Sequence, residues 1–251
     1  MNPLFSIITV TWNAEQTLPV TLESVRSQTC GLYEYIIMDG LSTDRTVELA
    51  REAAIPGAKI VSEKDRGLYD AMNKAMAIAT GDYLVFLNAG DTFSSPETLQ
   101  EIADTIMDND YPGIVYGQTR VVNSRREPLG ERHLRAPERL TLESFAEGMV
   151  VCHQAFIVLR KITDSYDLRY RYSADYEWCI RCLQRSRRNA YVDGYIIDYL
   201  SEGVTTANRR KSLIERFKIM AKYYGTGRTI LNHLKFIPRF LRRRKLEKKF
   251  S

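Results

Sequence analysis

Over its first ninety residues the chain alternates between two hydrophobic periods. Phe5–Trp12 (FSIITVTW) is a β-branched apolar run that predicts a buried strand. From Thr17 onward Leu18, Leu22 and Val25 recur at helical spacing, with Pro19 suited to a first turn. Tyr35–Met38 predicts a second strand that ends at Asp39-Gly40. Ser42–Asp44 then caps a helix with Val47 and Ala50 among its apolar positions. Ala58–Ser62 predicts a third strand. Leu68, Met72, Ala75 and Ala79 make one face of a third helix, closed by Gly81. Tyr83–Leu87 is a fourth strand that runs straight into Asn88, Ala89, Gly90 and Asp91.

Taken alone, that tetrapeptide reads as a solvent turn, because Asn, Gly and Asp are ready turn formers. The order β-α-β-α-β-α-β changes the reading. It predicts a mostly parallel sheet with right-handed crossovers and helices on both faces, the Rossmann-like α/β class. Ligands bind such sheets beyond the carboxyl ends of the strands. Each predicted strand ends in polar residues: Thr11 and Asn13; Asp39; Glu63, Asp65 and Arg66; Asn88 and Asp91. The topology gathers them at one edge.

Past Asp91 the pattern loosens. Gly113–Val122 and Val150–Arg160 predict further strands, the second interrupted by His153-Gln154. Between them a polar, Pro-containing stretch predicts a loop with short helices. Ser173 or Asp175 can cap a helix with Trp178 and Leu183 facing inward. Glu177 points elsewhere on that helix.

Charge adds a tail to this picture. Of 251 residues, those from Arg209 to Ser251 hold fifteen Lys or Arg and two Glu, a net +13; the rest carry 21 basic and 29 acidic side chains, a net −8. The basic segment also has Ile230, Leu234, Ile237 and Leu241 at helical spacing, Phe236 and Phe240 beside them, and Arg242–Lys245 next. Apolar stripe and basic flanks predict a helix docked on an anionic membrane, with Pro238 dividing it. The aromatic residues form no stacking platform, so nucleic acid is not the expected partner. No stretch has the ~20 apolar residues that span a bilayer. Four cysteines (Cys30, Cys152, Cys179 and Cys182) and no signal-like start fit a cytoplasmic protein, peripheral on the inner face of the membrane.

Neither G-x-G-x-x-G nor G-x-x-x-x-G-K-[ST] occurs, which argues against dinucleotide oxidoreduction and P-loop ATP hydrolysis. A carboxylate at a strand tip favours a hard divalent cation, and through it phosphates. SIITVTWNAEQTLPVTLESVRSQT, YIIMDGLSTDRT, DRGLYDAMNKAMAIATGDYLVFLNAGD and SADYEWCIRCL, in this order, resemble the family 2 glycosyltransferases of GT-A fold, in particular those of bacterial exopolysaccharide and O-antigen synthesis. The resemblance covers Phe5 to about Leu200. It implies a catalytic domain over 1–208, with a nucleotide-sugar half to about 112 and an acceptor half from about 113, followed by the tail at 209–251.

The resemblance also assigns roles. Thr11, Asn13 and Asp39 hold the nucleotide base, Asp39 accepting from a ring N–H as on uracil; a turn Asp before Gly40 is the plainer alternative. Asp65 and Arg66 stand near the phosphates, where a guanidinium forks onto oxygens, or Arg66 makes a surface ion pair. Asn73 faces the cleft. Asn88 contacts the donor, and Asp91 ligates Mn2+ or Mg2+. Asn88 and Gly90 stand where the family often has carboxylates, which weakens the metal site. His153 is a candidate contact to diphosphate or acceptor, or a buried imidazole. Asp175 matches the general base of an inverting transfer from a nucleotide-sugar, a UDP-sugar by preference, to a saccharide or lipid-linked acceptor; helix-dipole stabilisation alone also explains an Asp there. The alternatives are a non-catalytic nucleotide-binding or membrane scaffold on a degenerate transferase fold, and a nucleotidyltransferase, which would need the Gly-rich basic loop that TWNAEQTL lacks.

Overall fold

The computed structural model describes residues 3–132, 134–201 and 209–234. The alternating half is present: β1 (Phe5–Thr11), α1 (Leu18–Arg26), β2 (Tyr33–Asp39), α2 (Thr46–Glu52), β3 (Lys59–Ser62), α3 (Leu68–Ile78) and β4 (Tyr83–Phe86). It is followed by β5 (Thr92–Phe93), α4 (Thr98–Asp108), β6 (Ile114–Val122), β7 (Pro128–Glu131), β8 (Phe156–Leu159), α5 (Ala174–Arg185), β9 (Asn189–Leu200) and α6 (Arg209–Tyr224). One mixed sheet runs β3-β2-β1-β4-β8-β6-β9-β5, with β7 on β6, and helices flank it on both faces. β3, β2, β1 and β4 are parallel; β8 runs antiparallel to β4 and β6, and β9 parallel to β6.

Every residue of β1 and β4 is buried. A parallel sheet covered on both faces leaves no strand face to water, which is why these strands read as continuous apolar runs. Each fully buried Ile, Leu, Val or Phe contributes about 1.5–3 kcal/mol over its exposed state. Gly81 does not close α3. That helix ends at Ile78 with Ala79 already extended. A Cβ on Gly81 would lie 2.6 Å from the backbone of Phe5 and Ser6, so the glycine serves the approach of β4 to β1. Leu68 is 49% exposed, because Tyr69 takes the inward place at the start of α3.

The expected strand over 150–160 is shorter than its apolar run. His153–Ala155 forms a 3-10 turn and only Phe156–Leu159 pairs. All four cysteines are free and buried. Burial pushes the Cys179 and Cys182 thiols up, so neither is a reactive thiolate. After α6 the chain is helical again over 226–234, with Ile230, Leu231 and Leu234 exposed. The rest of the proposed membrane stripe, Phe236, Ile237, Pro238, Phe240, Leu241 and Arg242–Lys245, lies outside the described residues. Among the described residues no helix is long and apolar enough to cross a membrane.

Candidate active site

The parallel strands bring their polar ends to one edge, but several of the expected residues are spent on each other. Asp39 is 1% exposed. Its Oδ1 accepts from the hydroxyls of Thr11 and Ser42, and its Oδ2 from the Ser62 hydroxyl at 2.7 Å and the Ser42 N–H at 2.9 Å. Burial works to raise this carboxyl, and the bonds from Ser42, Ser62 and Thr11 outweigh it, holding it below the usual range. Asp39 therefore ties the ends of β1, β2 and β3 together and offers no free oxygen to a base. Asn13, at φ 48°, receives the Thr43 N–H on its side-chain oxygen at 2.9 Å and bridges the same two tips. Asp65 accepts the Gly67 N–H at 2.7 Å, and its carboxylate lies over Gly40. Arg66 is 78% exposed and pairs with Asp70 at 2.9 Å, the surface ion pair that was its alternative.

Two further expected contacts are turned inward. Asn73 donates to the Tyr166 carbonyl at 3.1 Å and accepts the Tyr166 N–H at 2.7 Å, which fastens α3 to the chain at 166 and uses both ends of its amide. His153 is 5% exposed, with Nε2 2.7 Å from the Tyr166 hydroxyl. It packs among Phe86, Tyr166 and Trp178. Burial lowers its pKa to about 4, a nearby Asp175 offsetting only part of that.

The tip of β4 is built around a sealed carboxylate. Asp91 is 3% exposed. Oδ2 accepts from the Gln154 amide at 2.7 Å and Oδ1 from the Leu200 N–H at 2.9 Å. Burial pushes Asp91 up to about 7, against the pull of Leu200, Gln154 and Arg126. Gly90 sits at φ 97°, and a Cβ there would lie 2.7 Å from Leu200 Cδ2, so the Leu200 side chain fills the place a carboxylate at position 90 would need. Thr21 of α1 accepts the Gly90 N–H and donates to the Asp91 carbonyl, at 2.9 and 2.8 Å. Asn88 Oδ1 is buried without a partner among the described residues, the one unspent acceptor of the tip.

The implied Mn2+ or Mg2+ does not fit this set. Asp91 is 3% exposed with a donor on each oxygen, the Leu200 side chain lies over position 90, and among the described residues no three His, Cys, Asp or Glu side chains gather as a cage. A hard cation that shares its shell with substrate phosphates and water still needs one or two open carboxylates from the protein, and the tip holds its single carboxylate buried.

On the other wall, α5 presents Asp175, half-buried in its first turn. Oδ1 accepts from the Tyr69 hydroxyl at 3.0 Å and from the Tyr176 N–H at 2.9 Å. Oδ2 has no hydrogen-bond partner among the described residues. Glu177, by contrast, is 2% exposed and held by Arg181 and Lys222. Tyr199 of β9 lies within electrostatic range of both Asp91 and Asp175. Arg216 of α6 comes near Tyr69 and Tyr176, and its Nε is buried with no acceptor. Ser212, Ile219 and Met220 mark the inward stripe that carries it. Sequence reasoning singled out the His153-Gln154 pair but gave Gln154 no role, and it missed Tyr69 and Arg216. The inward spacing 212-216-219/220 in α6 is the signal that was available for the last.

The comparisons with known proteins agree with this architecture. A glycosyltransferase of PGL/p-HBAD biosynthesis from Mycobacterium bovis is 34% identical over 186 residues, 72% of this chain and 70% of that one. Among solved structures, S. aureus TarS 1–349 in complex with UDP-GlcNAc superposes with a TM-score of 0.69 at 17% identity, covering 88% of this chain and 71% of that chain. The mannosyltransferase PcManGT from Pyrobaculum calidifontis, in complex with GDP-Man and Mn2+, superposes at 0.63 with 15% identity, covering 94% and 75%. These neighbours share the GT-A arrangement of one mixed sheet between helices. The family model described as glycosyl transferase family 2 matches residues 6–166, and with the mycobacterial relative it shows that the chain belongs to that family.

Proposed function

We propose that the chain transfers a sugar from a nucleotide-sugar, a UDP-sugar in the first instance, to a hydroxyl of a saccharide or lipid-linked saccharide in surface polysaccharide synthesis, inverting the anomeric centre. The observation that carries this is the state of Asp175: one oxygen held by two donors, the other unpartnered. Oδ2 takes the proton of the acceptor hydroxyl as its oxygen bonds to the anomeric carbon. The bond from that carbon to the nucleoside diphosphate breaks in the same step, and a single displacement inverts. Charge building on the departing diphosphate needs a cation, and Arg216, whose buried Nε has no acceptor among the described residues, is the protein's candidate for it. Asn88 Oδ1 is free to accept from a donor hydroxyl. TarS was solved with UDP-GlcNAc and PcManGT with GDP-Man, which supports the donor class and leaves the base to be tested.

A non-catalytic nucleotide binder is the second reading, favoured by the sealing of Asp39 and Asp91. One assay separates the two. Nucleotide-sugars are offered with Mn2+, with Mg2+ and with EDTA, and release of nucleoside diphosphate is followed. Turnover of one donor, with a product of inverted configuration by NMR, is expected. Binding without turnover of any donor would establish the second reading, and a retained configuration would overturn the single displacement.

A further inference from the structure

The hydroxyl that holds the candidate base comes from a distant part of the sequence. Tyr69 begins α3 and Asp175 begins α5, 106 residues apart. Tyr69 is 7% exposed, and its ring stacks on Tyr166 at 5.5 Å between centroids and 29° between planes. Tyr166 stacks in turn on Trp178 at 4.9 Å and 21°, and its backbone is stapled to α3 by Asn73. The phenol therefore has little freedom. Trp178 belongs to the same helix as Asp175, so both ends of the stack are fixed to the elements they connect.

A buried Tyr hydroxyl needs a partner, but many carbonyls would serve. Here it meets the carboxylate oxygen that already accepts the Tyr176 N–H, and the second oxygen is left unpartnered. We propose that Tyr69 is a positioning residue for glycosyl transfer: its hydroxyl holds Oδ1 of Asp175 so that Oδ2 alone faces the acceptor hydroxyl. This rests on Asp175 being the base. One consequence follows. A donor on Oδ1 fixes the carboxylate plane, which matters for a proton transfer that needs hydrogen-bond geometry.

Tyr69 on α3 touches Asp175; His153 on the 3-10 turn, Tyr166 on the following segment, Cys179 on α5 and Tyr199 on β9 lie within electrostatic range of it, and Arg216 on α6 within range of Tyr69. Burial holds the tyrosines and the cysteine neutral and keeps His153 uncharged down to about pH 4. Asp91, at about 7, titrates nearby but does not touch Tyr69.

The test is Tyr69→Phe in the full chain, which keeps the ring and its stack. Expected are a fall in kcat of roughly tenfold to a hundredfold, with a KM for the nucleotide-sugar within about twofold and an unchanged melting temperature. A structural role alone would lower the melting temperature or raise KM together with the fall in kcat, and that result overturns the proposal. If Tyr69→Phe does not fold, 3,5-difluorotyrosine at position 69, which keeps a hydroxyl donor of nearly the same size, is read instead: kcat should stay within about threefold of wild type, and a fall of tenfold or more in the folded variant overturns the proposal. Asp175→Asn is measured in parallel. If it keeps its kcat, the base assignment falls, and Tyr69 with it. If it loses kcat while Tyr69→Phe behaves as wild type, only the role of Tyr69 falls.

Discussion

Asp175 and Asp91 are both strand- or helix-end carboxylates, and their surroundings give them opposite uses. Asp175 keeps one oxygen unpartnered, so Asp175→Asn should lower kcat by about 10²–10⁴ while leaving nucleoside diphosphate affinity near normal by calorimetry. Asp91 is buried with a donor on each oxygen. Asp91→Asn should cost thermal stability, since an amide cannot accept from both Gln154 and Leu200, yet leave any stimulation by Mn2+ unchanged. Loss of metal response with an unchanged melting temperature would restore it as a ligand. His153 offers a pH prediction. Its folded pKa of about 4 lies below the ordinary 6.5, so the unfolded chain binds more protons between those values. Its contribution is complete above about pH 6.5 and is lost as pH falls toward 4, roughly 3 kcal/mol in all. Asp91, raised to about 7, acts with the opposite sign over the same window, so the two slopes offset in the wild type, and the stability of His153→Gln in denaturant melts should fall more steeply as pH rises from 4 to 6.5. A buried imidazole was one reading of His153, but the sealing of Asp91 was not legible from the residues themselves. Asp91 is sealed by Leu200, 109 positions away, and Tyr69 meets Asp175 across 106. Local patterns say which residues end strands, not which of them find each other.

Secondary elements were more legible, because their periods are local. The first four strands and three helices follow the alternation of apolar residues. Past Asp91, α4 had the same signal in Leu99, Ile102, Ala103 and Ile106, all buried at helical spacing, and it went unread. β5 has two residues and no period to detect; only its pairing with β9 makes it a strand. β8 is short because the turn at His153 interrupts an apolar run, and apolar character alone cannot separate turn from strand. The loop after β4 carries its own test. Gly90→Ala meets both a left-handed φ and the Leu200 side chain. A melting temperature lower by several degrees is expected, with weaker donor binding as the tip shifts; an unchanged melt would mean that Leu200 moves aside freely. Adding Leu200→Ala should recover only the part due to contact, since the strained φ remains.

The whole chain joins a mildly acidic body to a basic end. Helix 226–234 already exposes Ile230, Leu231 and Leu234, at 46%, 61% and 55%. We expect this face, with the basic residues after it, to dock on anionic lipid, each Lys or Arg near the surface adding ~1 kcal/mol. Removal of 231–251 should abolish binding to anionic vesicles in a flotation assay and slow transfer to a lipid acceptor more than to a soluble analogue. High salt should release the full-length protein. Binding that survives truncation would place the contact elsewhere. Charge asymmetry of this size is visible in sequence because it needs no folding to count; where the body sits relative to the membrane is not.

The two tryptophans of the chain occupy opposite environments. Trp12, just beyond β1 at the strand-end edge, is 70% exposed, whereas Trp178 is fully enclosed beside Tyr166. The protein thus carries two intrinsic fluorophores with separate addresses. A polar quencher such as acrylamide will reach the first and spare the second. A nucleotide entering over the strand ends will shield the first, while loosening of the aromatic stack behind the base will redden the second. Ligand occupancy and integrity of the catalytic wall can be followed in one cuvette, without a label.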